Sequence, residues 1–390
     1  MLLMTVVMIV GQSKFIVEGM NATMFALNYR HGVVARGLFG SILDVICRIL
    51  GDRFYCYNTV FIFSTIGYIL YLAVLWYFGK LFIRAYGESN YAKAFVMMIA
   101  PFFIEMYMTS EGYGRTDMYL LILSLIAGYA VLKDRGMILC VICPAIGILI
   151  HEGYAFDYYN IVLACLIYKI VFHGAKKRSK YIIWLGISIL VSLFVFFWVF
   201  SFSKSLFPVS EEMFEGIVSD AQRLAAPGQD VHYDALRAYV LGVDLYDSEL
   251  EFLADARIST CLFILMFIPI ILKIRDIIKA IYKESSHKEV VMLLCMGSLT
   301  TVPLFIRKCD YGRWIFAAIC YYLALLCLLV ITENKVVKKV FMEQVEKIAH
   351  NQWEVIFYTI YFMLFIPFQT VYVDRMCRSI LVGIIRGAYY

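Results

Sequence analysis

Charge is what this sequence has least of. Asp, Glu, Lys and Arg make up 17% of its 390 residues, against 62% hydrophobic ones, and the mean hydropathy is +0.78. A soluble globule cannot cover so much apolar surface with so few charges, so the balance points to one polytopic membrane domain over 1–390. The chain also lacks a Walker phosphate loop, a dinucleotide glycine fingerprint and a GxSxG elbow, which argues against cytosolic nucleotide chemistry and serine hydrolysis. Its eleven cysteines form no CxxC…CxxC pairing and no zinc spacing. Cys140, Cys143, Cys165 and Cys320 fall inside apolar runs and read as small buried hydrophobes. His151 beside dispersed acids makes no recognisable zinc or magnesium signature, so neither a metal nor a cofactor is expected. No Pro-rich or Gly/Ser-rich linker divides the chain, and no solenoid period is present. The formal charge of +5 resides mainly in loops. It therefore bears on topology and does not indicate nucleic-acid binding.

Long apolar runs are what the chain has instead. A helix of ~20 residues crosses a ~30 Å hydrocarbon core, and spans are expected near 1–17, 58–79, 92–108, 117–132, 137–150, 155–172, 181–203, 258–274, 289–306, 314–332 and 353–373. The expected fold is thus an all-α transmembrane bundle of about eleven spans. The apolar start, 1–10, has no basic n-region and no small-residue cleavage site, so it reads as an uncleaved first span. Asn21-Ala22-Thr23 is a formal glycosylation sequon and carries little weight. Connections at 80–93, 133–135, 173–180, 273–288 and 335–347 carry the Lys/Arg bias. The positive-inside rule makes these loops and the N-terminus cytoplasmic. The opposite connections, 18–57, 109–116, 151–154, 204–257, 307–313 and the residues from Asp374 onward, then face outward.

Two outer connections are long. Residues 33–50 of the first (VVARGLFGSILDVICRIL) have apolar positions at helical spacing, interrupted by Arg36, Asp44 and Arg48, which predicts an amphipathic interfacial or re-entrant helix within 18–57. The second, 204–257, is acidic. Pro208 and Ser210 open a helix expected around 211–225, Ala226-Pro227-Gly228 ends it, and a second is expected from Asp234 to Leu241. Together they read as a helical cap over the outer face.

Residues suited to chemistry gather in these outer connections. Arg30 and Arg36 flank Gly32, and Gly37 and Gly40 follow, an arrangement in which two guanidiniums can clamp a pyrophosphate bidentately. Snorkelling to lipid headgroups is the plainer alternative. Glu111-Gly112-Tyr113-Gly114-Arg115, with Asp117 two residues on, echoes Asp310-Tyr311-Gly312-Arg313. Both place Tyr-Gly-Arg at the outer N-terminus of a membrane helix, where free N–H groups and the helix dipole favour an anion. Helix capping by Asp117 and an interfacial aromatic belt would explain the same residues without a ligand. His151-Glu152-Gly153-Tyr154 is the most compact titratable group. Ionisable groups at membrane depth are costly and default to functional hypotheses. Burial is expected to raise the Glu152 carboxyl and suit it to proton transfer, with His151 as the alternative base.

In a multi-span chain with one large outer loop late in the sequence, Arg30, Arg36, Arg115, His151, Glu152 and Arg313 resemble bacterial surface-polysaccharide polymerases. These are the Wzy-type O-antigen and capsule polymerases and their EpsG-like relatives. The acidic large loop departs from the basic outer loops of O-antigen polymerases and shifts anion recognition to the short Arg loops. The resemblance implies a bacterial cell-membrane enzyme that joins polyprenyl-pyrophosphate-linked oligosaccharides, alongside other polysaccharide-assembly membrane proteins. It implies Glu152 or His151 as base and Arg30, Arg36, Arg115 and Arg313 on the pyrophosphate. Glu111 and Asp310 would orient those arginines or bind sugar hydroxyls, as Asp117 would, and Tyr113 and Tyr311 would stack on sugar faces. A GT-C-type transferase using a polyprenyl-phosphate monosaccharide stays open, although Glu18, Asp44 and Asp52 form no diacidic motif in the first outer loop. So do a lipid-linked oligosaccharide flippase or other transporter, which would line a path with charge, and an O-acyltransferase with His151 as base.

Overall fold

In a computed structural model of the protein, the described residues are 16–105, 107, 112–172, 175–202, 206–241, 267–284, 288–307, 311–332 and 334–364. They are 83% helical with no strand. The principal helices are α1 (Gly37–Leu50), α2 (Tyr57–Ala85), α3 (Asn90–Glu105), α4 (Asp117–Leu132), α5 (Leu139–Ile150), α6 (Tyr159–Phe172) and α7 (Ala175–Phe197). They continue as α8 (Glu211–Leu224), α9 (Tyr233–Leu241), α10 (267–284), α11 (Lys288–Met296), α12 (Tyr311–Ile331), α13 (Lys335–His350) and α14 (Gln352–Leu364).

Among the described residues, three helices are long and apolar enough to cross a membrane: α2, α7 with its continuation to Ser201, and α12. At 1.5 Å per residue, the 29 residues of α2 run about 44 Å, more than the hydrocarbon core requires. Five shorter apolar helices of 10–17 residues accompany them among the described residues. The expected first span and the segment from Asp374 onward lie largely or wholly outside the described residues, as do residues 242–257 of the large loop.

Burial sorts the long helices. The apolar window of α12 is 78% buried, against 28% for α2 and 17% for α7. α12 is therefore the centre of the bundle, while α2 and α7 turn one side outward. On α2 the inward residues Val60, Ser64, Gly67, Tyr71, Phe78 and Phe82 recur at helical spacing, and Ile62, Ile66, Ile69 and Trp76 face away. An outward stripe this apolar is a lipid-facing surface. α4 is buried on nearly every side and packs against α5, α6 and α12. A Cβ at Gly128 of α4 would stand 3.0 Å from Leu328 and 3.1 Å from Cys165, so glycine there lets three helices approach closely.

One end of this bundle is capped. The α8 residues Phe214, Ile217, Ala221 and Leu224 form its buried face, and Ser210 caps it by accepting the Met213 N–H at 3.2 Å. α8 packs on the Gly19–Met24 helix, the Tyr29–His31 turn and the start of α2. α1 lies at the same end, with Leu43, Asp44 and Cys47 inward and Val45, Ile49 and Leu50 exposed. Its apolar outer stripe is the pattern of a helix lying in a membrane interface.

Candidate functional site

Four separate segments deliver charged side chains to the capped end. Arg36 precedes α1 in a left-handed conformation (φ 62°), which aims its side chain back under the cap. The following glycines serve packing: a Cβ at Gly40 would meet the Leu27 carbonyl oxygen at 2.1 Å, so only glycine lets the 25–27 backbone cross α1 here. Glu152 lies in the connection 151–153, after α5 ends at Ile150 and the chain turns extended at His151. The two side chains meet in a bidentate pair: Arg36 Nε donates to Glu152 Oε2 at 2.9 Å and Nη2 to Oε1 at 2.5 Å. Both are largely shielded from solvent. Arg313, in the first turn of α12, donates to Asp117 in the first turn of α4. The charges of His151 and Arg115 also act on Asp117, and that of Arg313 acts on Arg36. Two Arg–carboxylate pairs and one imidazole thus form a single ionic centre.

The protonation states follow from this geometry. Burial is the largest single influence on the Glu152 carboxyl and raises it, but the Arg36 charge and hydrogen bonds, with His151 and the backbone, together outweigh burial and hold it well below the usual carboxylate range. That reverses the upward shift expected from sequence, because the sequence does not show the partner. Burial, and then the Arg36 charge, push His151 down from 6.5 to about 4. Its Nδ1 accepts the Gly153 N–H at 2.9 Å, which places the proton of the neutral ring on Nε2. In this arrangement His151 is a hydrogen-bond donor and Glu152 a paired anion.

The centre is closed. The Tyr239 ring of α9 lies 4.0 Å from the Arg36 guanidinium carbon, a cation–π contact that presses the cap onto the pair. The cap is also held by His31 Nε2 and Asp220 Oδ2, 2.9 Å apart. Beside Arg36 there is a pocket of about 20 Å³, lined by Met24, Phe25, Phe39, Thr116 and Ile150. Such a space admits about one water molecule and no phosphate group.

Of the other expected site residues, Arg30 and Tyr113 fall elsewhere. Arg30 turns away from Arg36 and lies 3.8 Å from Asp44, which Arg48 Nε also engages at 2.8 Å. Tyr113 is buried, shares a hydrogen bond with Thr65 at 2.5 Å and packs on Phe61 and Tyr68, so its ring offers no face to a sugar. Arg115 belongs to the turn before α4, its N–H donating to the Gly112 carbonyl at 3.1 Å. Tyr311 opens α12. Glu111 and Asp310 lie outside the described residues. Tyr239, Asp220 and Asp44 were not anticipated as members of these clusters. The acidic loop signalled charge, but no local pattern marks which acid reaches His31 or which tyrosine reaches Arg36, each roughly two hundred residues earlier in the chain.

The fold and the site define a helical membrane protein with a closed ionic centre at one end of its bundle. No family model, no curated protein and no solved structure matches the chain.

Proposed function

We propose that this protein is a glycosyltransferase of a bacterial cell membrane. It joins polyprenyl-pyrophosphate-linked oligosaccharide repeat units at the external face, through a bundle of about eleven spans with a cytoplasmic N-terminus. The observation that supports this reading best is the convergence of Arg36–Glu152, Arg313–Asp117 and His151 beneath a helical cap. So much paired charge in an apolar bundle exceeds what anchoring to a bilayer needs, and buried ion pairs are costly to desolvate.

The reaction follows from partner exchange. As the cap lifts, the donor pyrophosphate takes Arg36 from Glu152, and Arg313 assists. Released from Arg36, the buried carboxylate reverts to the raised pKa that desolvation imposes and accepts the proton of the acceptor hydroxyl. The acceptor oxygen attacks the donor anomeric carbon while the bond to the lipid pyrophosphate breaks. Charge grows on the leaving group, so the guanidiniums stabilise the transition state more than the ground state. His151 donates through Nε2 to a sugar or phosphate oxygen.

The decisive experiment supplies the purified protein, in lipid and without nucleotide sugar, with an undecaprenyl-pyrophosphate oligosaccharide. A polymer ladder that disappears with Arg36→Ala or Arg313→Ala is the expected result. Transfer from a polyprenyl-phosphate monosaccharide, with no ladder, would move the assignment to a GT-C-type enzyme. Polymer formed at the normal rate by both Glu152→Gln and His151→Ala would remove the base assignment.

A further inference from the structure

An open cleft lies at the same capped end, outside the closed centre. It has a volume of about 370 Å³ and is lined by Arg30, Asp44, Arg48, Asp52, Tyr55 and Arg223, within the usual size range of small-molecule sites. Its three guanidiniums come from three segments: the Tyr29–His31 turn, α1 and the cap helix α8. Asp44 is engaged by Arg48 and approached by Arg30. Arg223 donates to the Asp52 carbonyl at 3.0 Å and lies 5.4 Å from the centre of the Tyr55 ring. The Arg30 guanidinium makes no hydrogen bond among the described residues, and the Arg30 and Arg48 side chains are each 54% exposed. These contacts orient Arg48 and Arg223, hold Arg30 only loosely, and leave most of the N–H donors for a ligand.

We propose that this cleft is a binding site for a phosphate-type oxyanion. On the polymerase reading, on which this assignment of source rests, it holds the pyrophosphate of the acceptor while the Arg36 centre serves the donor. Joining two lipid-linked chains brings two pyrophosphates to one enzyme, and one closed centre has room for neither until the cap moves. Arg223 belongs to the cap helix α8, which packs against α9, the helix whose Tyr239 covers Arg36. The link is direct: Asp220, one turn before Arg223, pairs with His31 and hydrogen-bonds Tyr55.

The test is calorimetric titration of the full-length protein, in phosphatidylcholine nanodiscs, with inorganic pyrophosphate. Saturable binding is expected, weakened about tenfold or more by Arg30→Ala combined with Arg223→Ala, since each removes a charge-assisted donor. Both side chains are exposed or loosely held, and Arg48→Lys, which keeps the Asp44 pair but loses the planar fork, should weaken binding by a smaller factor. Arg275→Ala, an exposed pair with its neighbour Asp276 on α10, should leave affinity unchanged. Absence of saturable binding, or equal affinity in the double variant, overturns the proposal. Unchanged affinity in nanodiscs containing phosphatidylglycerol supports a diphosphate ligand, whereas loss of binding there assigns the cleft to lipid headgroups and overturns the acceptor role. Binding that depends on these arginines, in a protein that yields no polymer from any lipid-linked oligosaccharide, keeps the anion site and defeats only the polymerase reading.

Discussion

At the start of α4, Asp117 pairs with Arg313 beside the Arg36–Glu152 pair and His151. About 24 Å further along, at 1.5 Å for each of its 16 residues, the turn beyond α4 carries Asp134, which accepts from Lys169 Nζ at 2.7 Å and from the Tyr181 hydroxyl. Both ends bury charge in an apolar bundle. At the Asp134 end a single carboxylate ties α6 and α7 to the turn, and its own side chain is one-third exposed. At the capped end two arginine pairs are shielded together and covered by α9. One partly hydrated pair is enough to join helices. Two dry pairs with an imidazole cost more than packing returns, because desolvation offsets most of the Coulomb attraction. That excess is the reason the proposed function is placed at the capped end.

The sharpest way to break this contrast is to neutralise each end in turn. Glu152→Gln should lower polymer formation about 100-fold or more, the range for loss of a positioned base, with folded protein still recovered. Arg36→Ala leaves a buried carboxylate unpaired and should also destabilise by about 3–5 kcal/mol. Arg36→Gln combined with Glu152→Gln should recover the stability and not the activity. Thermal unfolding beside a ladder assay separates the two.

Asp134→Ala should show the opposite profile. It strands the buried Lys169 ammonium and should cost up to about 3–5 kcal/mol, while activity per folded molecule stays near wild type. A large loss of rate in a well-folded Asp134→Ala protein would erase the distinction between the ends.

Acid should act on the capped end first. His151 is pushed from 6.5 to about 4, so between those values the unfolded chain binds the proton and the folded one does not. Stability therefore rises with pH across that window and is lost on acidification, by roughly 3 kcal/mol at 1.36 kcal/mol per pH unit. The depressed Glu152 carboxyl acts in the same direction at lower pH. Melting temperature measured from pH 7 to pH 4 should fall, with a shallower slope in His151→Gln.

The smallest effect is expected at the lid. Tyr239→Phe keeps the ring over Arg36, and Tyr239→Ala removes a contact worth about 0.5–2 kcal/mol. Limited proteolysis at the Ala226–Gly228 turn should accelerate in the alanine variant and not in the phenylalanine one. Equal cleavage in both would mean that the ring does not hold the cap.

Much of the fold was legible because its elements are local. The helix expected around 211–225 is α8, ending at Leu224 before Ala226-Pro227-Gly228, and the one expected from Asp234 to Leu241 is α9, one residue longer. The amphipathic pattern within 33–50 is α1, though the left-handed Arg36 delays its start to Gly37. The site was legible only as a set of residue types. Arg36, Arg313, His151, Glu152 and Asp117 do converge, whereas Arg30 joins the neighbouring cleft and Tyr113 turns into the core. Tyr-Gly-Arg recurs in the sequence; its arginine at 313 makes the ion pair with Asp117, and the one at 115 acts on the same carboxylate through its charge.

By itself the sequence determined a helical membrane chain and the collection of its unusual charges in the connections that link alternate apolar runs. Hydropathy and helical periodicity are properties of neighbours in the chain, and any solvent boundary reads them in the same way. Only the tertiary structure decided that Glu152 meets Arg36, that Asp117 meets Arg313 and that Tyr239 closes over them. Those pairings join residues from 116 to 203 positions apart in the printed sequence. They set protonation at distances of a few ångströms, where the electrostatic effect of one charge on another is strong in a dry interior and invisible in the order of residues.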